Sequence, residues 1–188
     1  APTETLSGAI SLLNIDDVTF NNVRINNAKS AGVNISNVRS VTWNGGSISN
    51  VVTGTSTNWP NGTGIAVWQD LYGDTDSVNV SNLEIDKVHG GGILGTGTTY
   101  ILHNLQVSDT KVTRWNQSLG VARTYGAFGS QNSKTNVLDN VTAEYGEGCP
   151  VVFYPKRAAD ETVVRNSRFG DLGTTVTTPS AFIEYYSA

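Results

Sequence analysis

The sequence has little charge, few aromatic residues and almost no sulfur. Charged residues make up 15% of the 188 positions and aromatic residues 9%; there is one cysteine, Cys149, and no methionine. A single cysteine excludes an intrachain disulfide, so the fold needs another source of rigidity. We predict that the Cys149 thiol is buried and structural, because free cysteines pack as small hydrophobic groups.

Long hydrophobic runs and basic stripes are also missing. No apolar run approaches the roughly 20 residues that a membrane-spanning helix needs. The net charge is -4 and the isoelectric point about 5.0. An acidic chain without a basic face is a poor match for nucleic acid or an anionic membrane. We therefore predict no nucleic-acid partner and no membrane span.

The residues that replace charge are mainly Asn, Ser, Thr and Gly. These residues disfavour long helices, because their side chains compete for backbone hydrogen bonds or, for Gly, because ordering the backbone costs entropy. The same residues suit short strands joined by tight turns. The opening residues Ala1 to Thr5 are typical of a mature chain after signal-peptide removal. We therefore expect an extracellular or surface-exposed protein, 1–188 being one domain or a segment of a longer product.

Six segments share one pattern: an apolar residue, any residue, Asn or Gly, and then further apolar positions at alternate places. They are 20–25, 43–48, 80–85, 102–107, 138–143 and 164–169. Their third residues are Asn22, Gly45, Asn82, Asn104, Asn140 and Asn166. Three of the intervals between these residues fit one short coil, and two carry an insertion of about a dozen residues. The first insertion covers about residues 52–63, and the second lies within residues 109–133. A repeat of this length is the signature of a solenoid.

Short apolar runs lie between these segments, several of them beginning at Gly. Since alternate residues of a strand lie on one face, both sets can fill a narrow interior. We predict an all-β fold, a right-handed parallel β-helix of about six to seven coils. A β-sandwich also uses short strands, but its strands do not normally repeat such a signature at near-constant spacing. The Asn residues would adopt left-handed turn conformations and stack into an amide ladder.

The repeats, such as Val78-Asn79-Val80-Ser81-Asn82-Leu83-Glu84-Ile85, resemble coils of the pectate-lyase-like β-helix superfamily. That group includes pectate lyases, polygalacturonases, alginate epimerases and phage tailspikes. The resemblance implies a long acidic or neutral polysaccharide bound along one face of the coils. The function expected is thus a polysaccharide lyase or glycoside hydrolase. The alternative is a non-catalytic glycan-binding module, adhesin or phage-tail solenoid.

Aromatic residues in the insertions and on the outer face of coil-starting strands are the candidates for glycan binding. Tryptophan and tyrosine rings stack on sugars with little loss of side-chain entropy. An alternative for Trp59 and Trp115 is that they fold back over the core. The predicted substrate-binding residues are Trp59, Trp68, Tyr72, Trp115, Tyr125 and Tyr154.

Charged candidates lie at two places. Asp70, Asp74 and Asp76 fall within seven residues and form a candidate calcium site, since calcium prefers oxygen ligands and the lyases of this superfamily use it. A solvated acidic turn would explain them equally well. Arg123 beside the second insertion is the candidate lyase base, with Asp70 as the accompanying catalytic carboxylate, although a plain surface arginine fits as well. No known catalytic set of the superfamily maps completely.

The two ends of the predicted coil stack carry no readable cap. Only about seven residues precede the first coil, and residues 181–186 still have a strand pattern near the last residue. Unpaired strand edges invite pairing with another chain. We therefore expect either a homo-oligomer or a longer parent chain that continues the solenoid.

Overall fold

The computed structural model describes residues 8–52, 62–70, 72–97, 99–116, 126–153, 161–170 and 183–185. All regular structure in these ranges is β-strand, arranged as stacked parallel coils that form a β-solenoid. The all-β prediction is confirmed. No helix in the described ranges is long and apolar enough to cross a membrane.

The described strands form one continuous parallel sheet that winds around the coil axis. The strands are β1 (Ile10–Asn26), β2 (Ala31–Val51), β3 (Thr63–Trp68), β4 (Thr75–Val88), β5 (Ile93–Thr96), β6 (Leu102–Ser108), β7 (Lys111–Thr113), β8 (Phe128–Ser130), β9 (Ser133–Asp139), β10 (Thr142–Glu144), β11 (Val151–Phe153), β12 (Glu161–Arg165), β13 (Arg168–Gly170) and β14 (Ile183–Tyr185). The predicted parallel solenoid is confirmed, with about five turns in the described ranges. The coil that begins with β11 is described only in part.

Each coil contributes three strand segments, and every segment pairs in register with its counterpart in the next coil. In the first column the partners run Ile10, Val33, Ile65, Ile93, Phe128, Val151 and Ile183. The second column is formed by the middle of β1 and β2, the start of β4, and β6, β9 and β12. The third consists of the ends of β1, β2 and β4, followed by β7, β10 and β13.

The inward residues of the three columns make one hydrophobic core. Trp43, Leu83, Phe128 and many aliphatic residues in it are fully buried. The rings of Phe20 and Trp43 pack with their centroids 4.6 Å apart. Cys149 is buried, as predicted, and its Sγ donates to the Val151 carbonyl at 3.2 Å.

The first coil is more open than the coils stacked after it. Phe20 is only partly buried, whereas its partner Trp43 is inaccessible to solvent. Within the described ranges β1 pairs with β2 alone, so its other edge has no strand partner there. The oligomer or longer parent chain expected from such edges stays a prediction.

A column of left-handed residues marks the turn between the second and third strand segments of each coil. Its members are Asn22, Gly45, Asn82, Asp109, Asn140 and Asn166, with φ between 47° and 75°. Five of the six predicted turn residues are confirmed, but the prediction of Asn104 as a turn residue is wrong. Asn104 lies inside β6 opposite Ser77, and the turn falls five residues later at Asp109. Asp also tolerates the left-handed region, so the coil keeps its turn without Asn.

Side-chain amides connect these turns from coil to coil. The Asn82 Nδ2 donates to the Asn44 Oδ1 at 3.1 Å, and the Asn140 Nδ2 donates to the Asp109 Oδ1 at 2.7 Å. The Asn166 Nδ2 donates to the Asp139 Oδ1 at 2.9 Å. The predicted ladder therefore exists, but its acceptors include carboxylates and the residue before the turn.

Replacing Asn82 separates the backbone role of these residues from the amide role. Asn82→Ala should lower the free energy of unfolding by about 2–3 kcal/mol, because it adds left-handed strain of roughly 1–2 kcal/mol and removes a hydrogen bond worth about 1 kcal/mol. Asn82→Gly, the residue type found at the same turn in β2, should cost only about 1 kcal/mol. Urea denaturation measures both values. Equal losses in the two variants would contradict the left-handed requirement.

Three arginines clamp an aspartate of the preceding coil. The pairs are Asp17 with Arg39, Asp86 with Arg114 and Asp139 with Arg165. Hydrogen bonds from the arginine lower the pKa of Asp17 and of Asp139, where Asn166 contributes as well. Partial burial opposes ionisation of Asp86, but hydrogen bonds from Arg114 and Thr113 outweigh it, so the pKa of Asp86 is also lowered.

These clamps should make the fold sensitive to acid. A carboxyl group whose folded-state pKa lies below the ordinary value of about 3.9 stabilises the fold above that pH, and the contribution disappears as pH falls through the folded-state pKa. The triple variant Asp17→Asn, Asp86→Asn, Asp139→Asn should therefore melt below the wild type at pH 7. Thermal melts between pH 7 and pH 2 should show this difference closing below about pH 4. A constant difference across that range would refute the assignment.

Candidate functional site

An open groove lies at the corner between the first and second strand columns, across the first three coils. It encloses about 380 Å³. Its walls are formed by Asn14, Ile15, Asp16, Asn37, Val38, Arg39, Asp74 and Asp76. We call it the first-corner groove. Amides, carboxylates and one guanidinium thus surround a small apolar surface, of which Ile15 is 37% exposed.

The charges of the groove stack in register because the strands do. From coil to coil, the paired residues run in the order Asp17, Ser40, Ser77, Asn104 and Thr135. The residue that precedes each of them in the sequence is charged or a histidine, and these stack in the same order: Asp16, Arg39, Asp76, His103 and Lys134. Opposite charges therefore alternate along the first part of this column, which limits repulsion between coils about 4.8 Å apart.

Two specific contacts fix the charged wall. The Arg39 guanidinium pairs with Asp17, its Nε lying 3.2 Å from Oδ1. The His103 Nε2 lies 3.2 Å from the Asp74 Oδ2 and 4.0 Å from the Asp76 Oδ1.

Tyr72 stands on the segment that leads into this wall. Its side chain is 40% exposed, and its backbone is left-handed with φ of 67°. The next residue, Gly73, packs directly on Asn37, since a Cβ there would lie 2.8 Å from the Asn37 Oδ1. The Ile101 N–H donates to the Asp74 Oδ1 at 2.8 Å and secures the far end of the segment. Tyr72 is thus an accessible aromatic residue one position before the contact with the groove residue Asn37.

The three carboxylates of the predicted calcium site do not converge. The Asp70 Oδ1 accepts hydrogen bonds from the backbone N–H and the hydroxyl of Thr99, both at 3.1 Å. Asp74 and Asp76 instead lie beside His103. Among the residues that the structure describes, no group of three acidic, histidine or cysteine side chains could hold a metal ion. Asp70, Asp74 and Asp76 therefore do not form the predicted site.

Trp68 is the predicted glycan-binding residue that lies on the first strand column. Val67 is buried, and the neighbouring Trp68 is only partly buried. The Trp68 Nε1 donates to the Asn34 Oδ1 at 3.1 Å, a bond between adjacent strands of the first column. The remaining candidates Trp59, Arg123, Tyr125 and Tyr154 lie outside the described residues.

Trp115 cannot bind a sugar in this structure, and its prediction as a stacking residue is wrong. Its side chain is inaccessible to solvent. Val51 pairs with Val88, and the Val88 N–H donates to the Arg114 carbonyl, so Trp115 occupies the inward position of those valines. Gly146 faces it from the next coil, where a Cβ would come within 2.0 Å of the indole. The large ring fits only because its counterpart has no side chain.

Sequence reasoning missed Asp16, Arg39, Asn37 and His103. Asp16, Arg39 and His103 each stand six residues before the left-handed turn residue Asn22, Gly45 or Asp109 of their coil, and Asn37 is itself left-handed. Only the pairing of coils brings these residues together. The signal that could have found them is the alternation of charge at one repeat position, which appears once the coil of β6 is aligned on Asp109.

Comparison with known proteins adds no relative: no family model, no curated protein and no solved structure matches this chain. The functional assignment of the chain therefore rests on its own fold and on the chemistry of its surface.

Trp115→Ala should lower the free energy of unfolding by about 3–5 kcal/mol, the usual cost of removing a buried aromatic side chain. Trp115→Phe should cost much less because most of the volume is retained. Glycan retention by the folded variants should match the wild type. A loss of retention without a loss of stability, measured by urea denaturation, would restore Trp115 as a binding residue.

Proposed function

We propose that this chain is an extracellular, non-catalytic β-solenoid of the pectate-lyase-like kind that binds an extended, uncharged polysaccharide at the first-corner groove. The observation that carries the proposal is a groove of carboxylates and amides with an exposed aromatic residue close by in the chain: Tyr72 is left-handed and precedes Gly73, which packs on the groove residue Asn37. Strained residues of this kind concentrate at functional sites.

The groups around the groove match the chemistry of a sugar ring. An exposed tyrosine ring offers a flat apolar face, and the C–H faces of a pyranose pack well on such a surface. The carboxylates of Asp16, Asp74 and Asp76 accept hydrogen bonds from hydroxyl groups. The Asn37 Nδ2 donates to the Asn14 Oδ1 at 2.6 Å, which leaves the Asn14 Nδ2 as a donor and the Asn37 Oδ1 as an acceptor for a ligand. Pairs of vicinal hydroxyls need this mixture of acceptors and donors.

The charge of the groove favours an uncharged glycan over a polyuronate. Three carboxylates line it, against the single guanidinium of Arg39, which is already paired with Asp17. A carboxylate on the sugar would meet repulsion from Asp16 and Asp76. A neutral chain loses nothing to this field and gains the hydrogen bonds.

The shape of the groove favours a segment of a long chain. Its residues come from successive coils, so the groove extends along the coil axis, with equivalent positions repeating about every 4.8 Å. Its volume lies near the lower end of the roughly 300–1,000 Å³ of small-molecule sites. An extended polymer can cross such an open groove and continue over the neighbouring coils.

Binding alone is proposed because the predicted catalytic residues do not form a reactive site among the described residues. A glycoside hydrolase needs two carboxyl groups placed on either side of the scissile bond. Asp70 is engaged with Thr99, and Asp74 is engaged with His103 and Ile101. Arg123, the candidate lyase base, is outside the described ranges.

The test is retention on neutral and acidic polysaccharides, measured by affinity electrophoresis and then by calorimetry for the best ligand. Tyr72→Ala should weaken binding at least tenfold, because the stacking surface is lost, and Tyr72→Phe should bind like the wild type. Asp76→Asn should weaken binding several-fold. Asp109→Asn, which alters an exposed carboxylate at a different turn, is the matched control.

Two results would overturn the proposal. One is binding restricted to uronate polymers, which the carboxylate wall should repel. The other is full retention by the Tyr72→Ala, Asp76→Asn double variant while the fold remains intact by circular dichroism.

A further inference from the structure

A further column of turn residues runs along the third corner, at the end of the third strand segment. Its residues are Asn27, Asn50, Lys87, Arg114 and Tyr145, all left-handed with φ between 52° and 61°. The strand pairing next to them places each residue on its counterpart in the adjacent coil. The corner therefore presents five stacked side chains, one per coil.

The backbone of this corner does not explain the side chains of the last three positions. The first two coils meet the left-handed requirement with Asn, which tolerates it well. Lys, Arg and Tyr have no such advantage, yet they occupy the next three coils. Three successive residues with an unfavourable left-handed backbone indicate that their side chains are kept for a functional reason.

Arg114 is held in a defined orientation. Its Nε lies 2.7 Å from the Asp86 Oδ1, its Nη2 contacts the other carboxylate oxygen, and the Thr113 hydroxyl donates to Asp86 at 2.7 Å. These contacts use one edge of the guanidinium. The Arg114 side chain remains 44% exposed.

Lys87 and Tyr145 flank Arg114 on either side and are accessible. Lys87 is exposed and has no ion pair within the described ranges. Tyr145 is 56% exposed. The close packing of Gly146 on the buried Trp115 anchors the chain immediately after Tyr145, so the ring projects from a rigid support.

Two acidic residues next to this corner have cationic partners. Asp86 is paired with Arg114, and the nearly buried Glu144 lies 3.6 Å from the Lys111 Nζ and 3.1 Å from the Arg168 Nε. A further carboxylate, Glu147, follows Tyr145 by two positions. The charged side chains of the turn column itself are the cations Lys87 and Arg114, whereas carboxylates outnumber cations in the first-corner groove.

We propose that Lys87, Arg114 and Tyr145, the third-corner strip, bind a linear glycan that carries sulfate or carboxylate groups. Lys87 and the free edge of Arg114 contact the anionic groups, and the Tyr145 ring stacks on a sugar between or beside them. The spacing of about 4.8 Å between coils sets the spacing of the contacts. This site is separate from the first-corner groove and does not rest on its assignment.

The experiment compares dextran sulfate with dextran, by calorimetry at low salt, in the Tyr72→Ala background so that the groove does not contribute. The parent should bind dextran sulfate and not dextran, and affinity should fall as salt rises. Lys87→Ala and Tyr145→Ala should each weaken binding at least fivefold. Lys134→Ala, which removes a lysine from the second strand column, should leave it unchanged.

The outcomes separate this proposal from its alternatives. Carboxymethyl dextran in place of dextran sulfate tells carboxylate recognition from sulfate recognition, and binding of either supports the strip. Equal losses for Lys134→Ala and Lys87→Ala, or unchanged binding in Tyr145→Ala, would overturn it. Single-stranded DNA bound as tightly as dextran sulfate would also overturn it, because the strip would then respond to charge without the sugar.

Discussion

In-register parallel pairing is the constraint on which the rest of this structure depends. Every residue of a coil lies against its counterpart about 4.8 Å away in the next coil, so each side chain is chosen together with those above and below it. Trp115 illustrates this dependence. It occupies the inward position that Val88 has in the preceding coil, and the larger ring is accommodated because Gly146 faces it from the next coil. A change in one coil must therefore be compensated within the same column.

The same constraint orders the charges. Like charges in adjacent coils repel at close range, and at the position of Asp16, Arg39 and Asp76 this repulsion is avoided by alternation of charge. Elsewhere it pairs an aspartate with an arginine of the next coil, as in Asp139 with Arg165. Because these pairs are exposed, each one alone adds little stability.

The sequence was sufficient to predict the solenoid, since apolar residues and left-handed Asn recur at coil length. It was insufficient where one coil departs from Asn. Choosing Asn104 over Asp109 shifted that coil by five residues, and the shift made Trp115 look like part of a loop. With Asp109 as the turn, Trp115 falls in phase with Val88. The groove could not be predicted, because Asn14 and Asp76 meet only through a register that crosses the insertion between them.

Corners are the positions where this fold can carry function. Residues at inward strand positions form the core, and many residues at outward positions form hydrogen bonds or ion pairs with the next coil. At a corner the backbone demands only a left-handed residue, and Asn or Gly meets that demand at the lowest cost. Tyr72 and Tyr145 are exposed aromatic residues that accept the higher cost. Because the side chains around them differ in charge, the two proposed sites should favour different ligands.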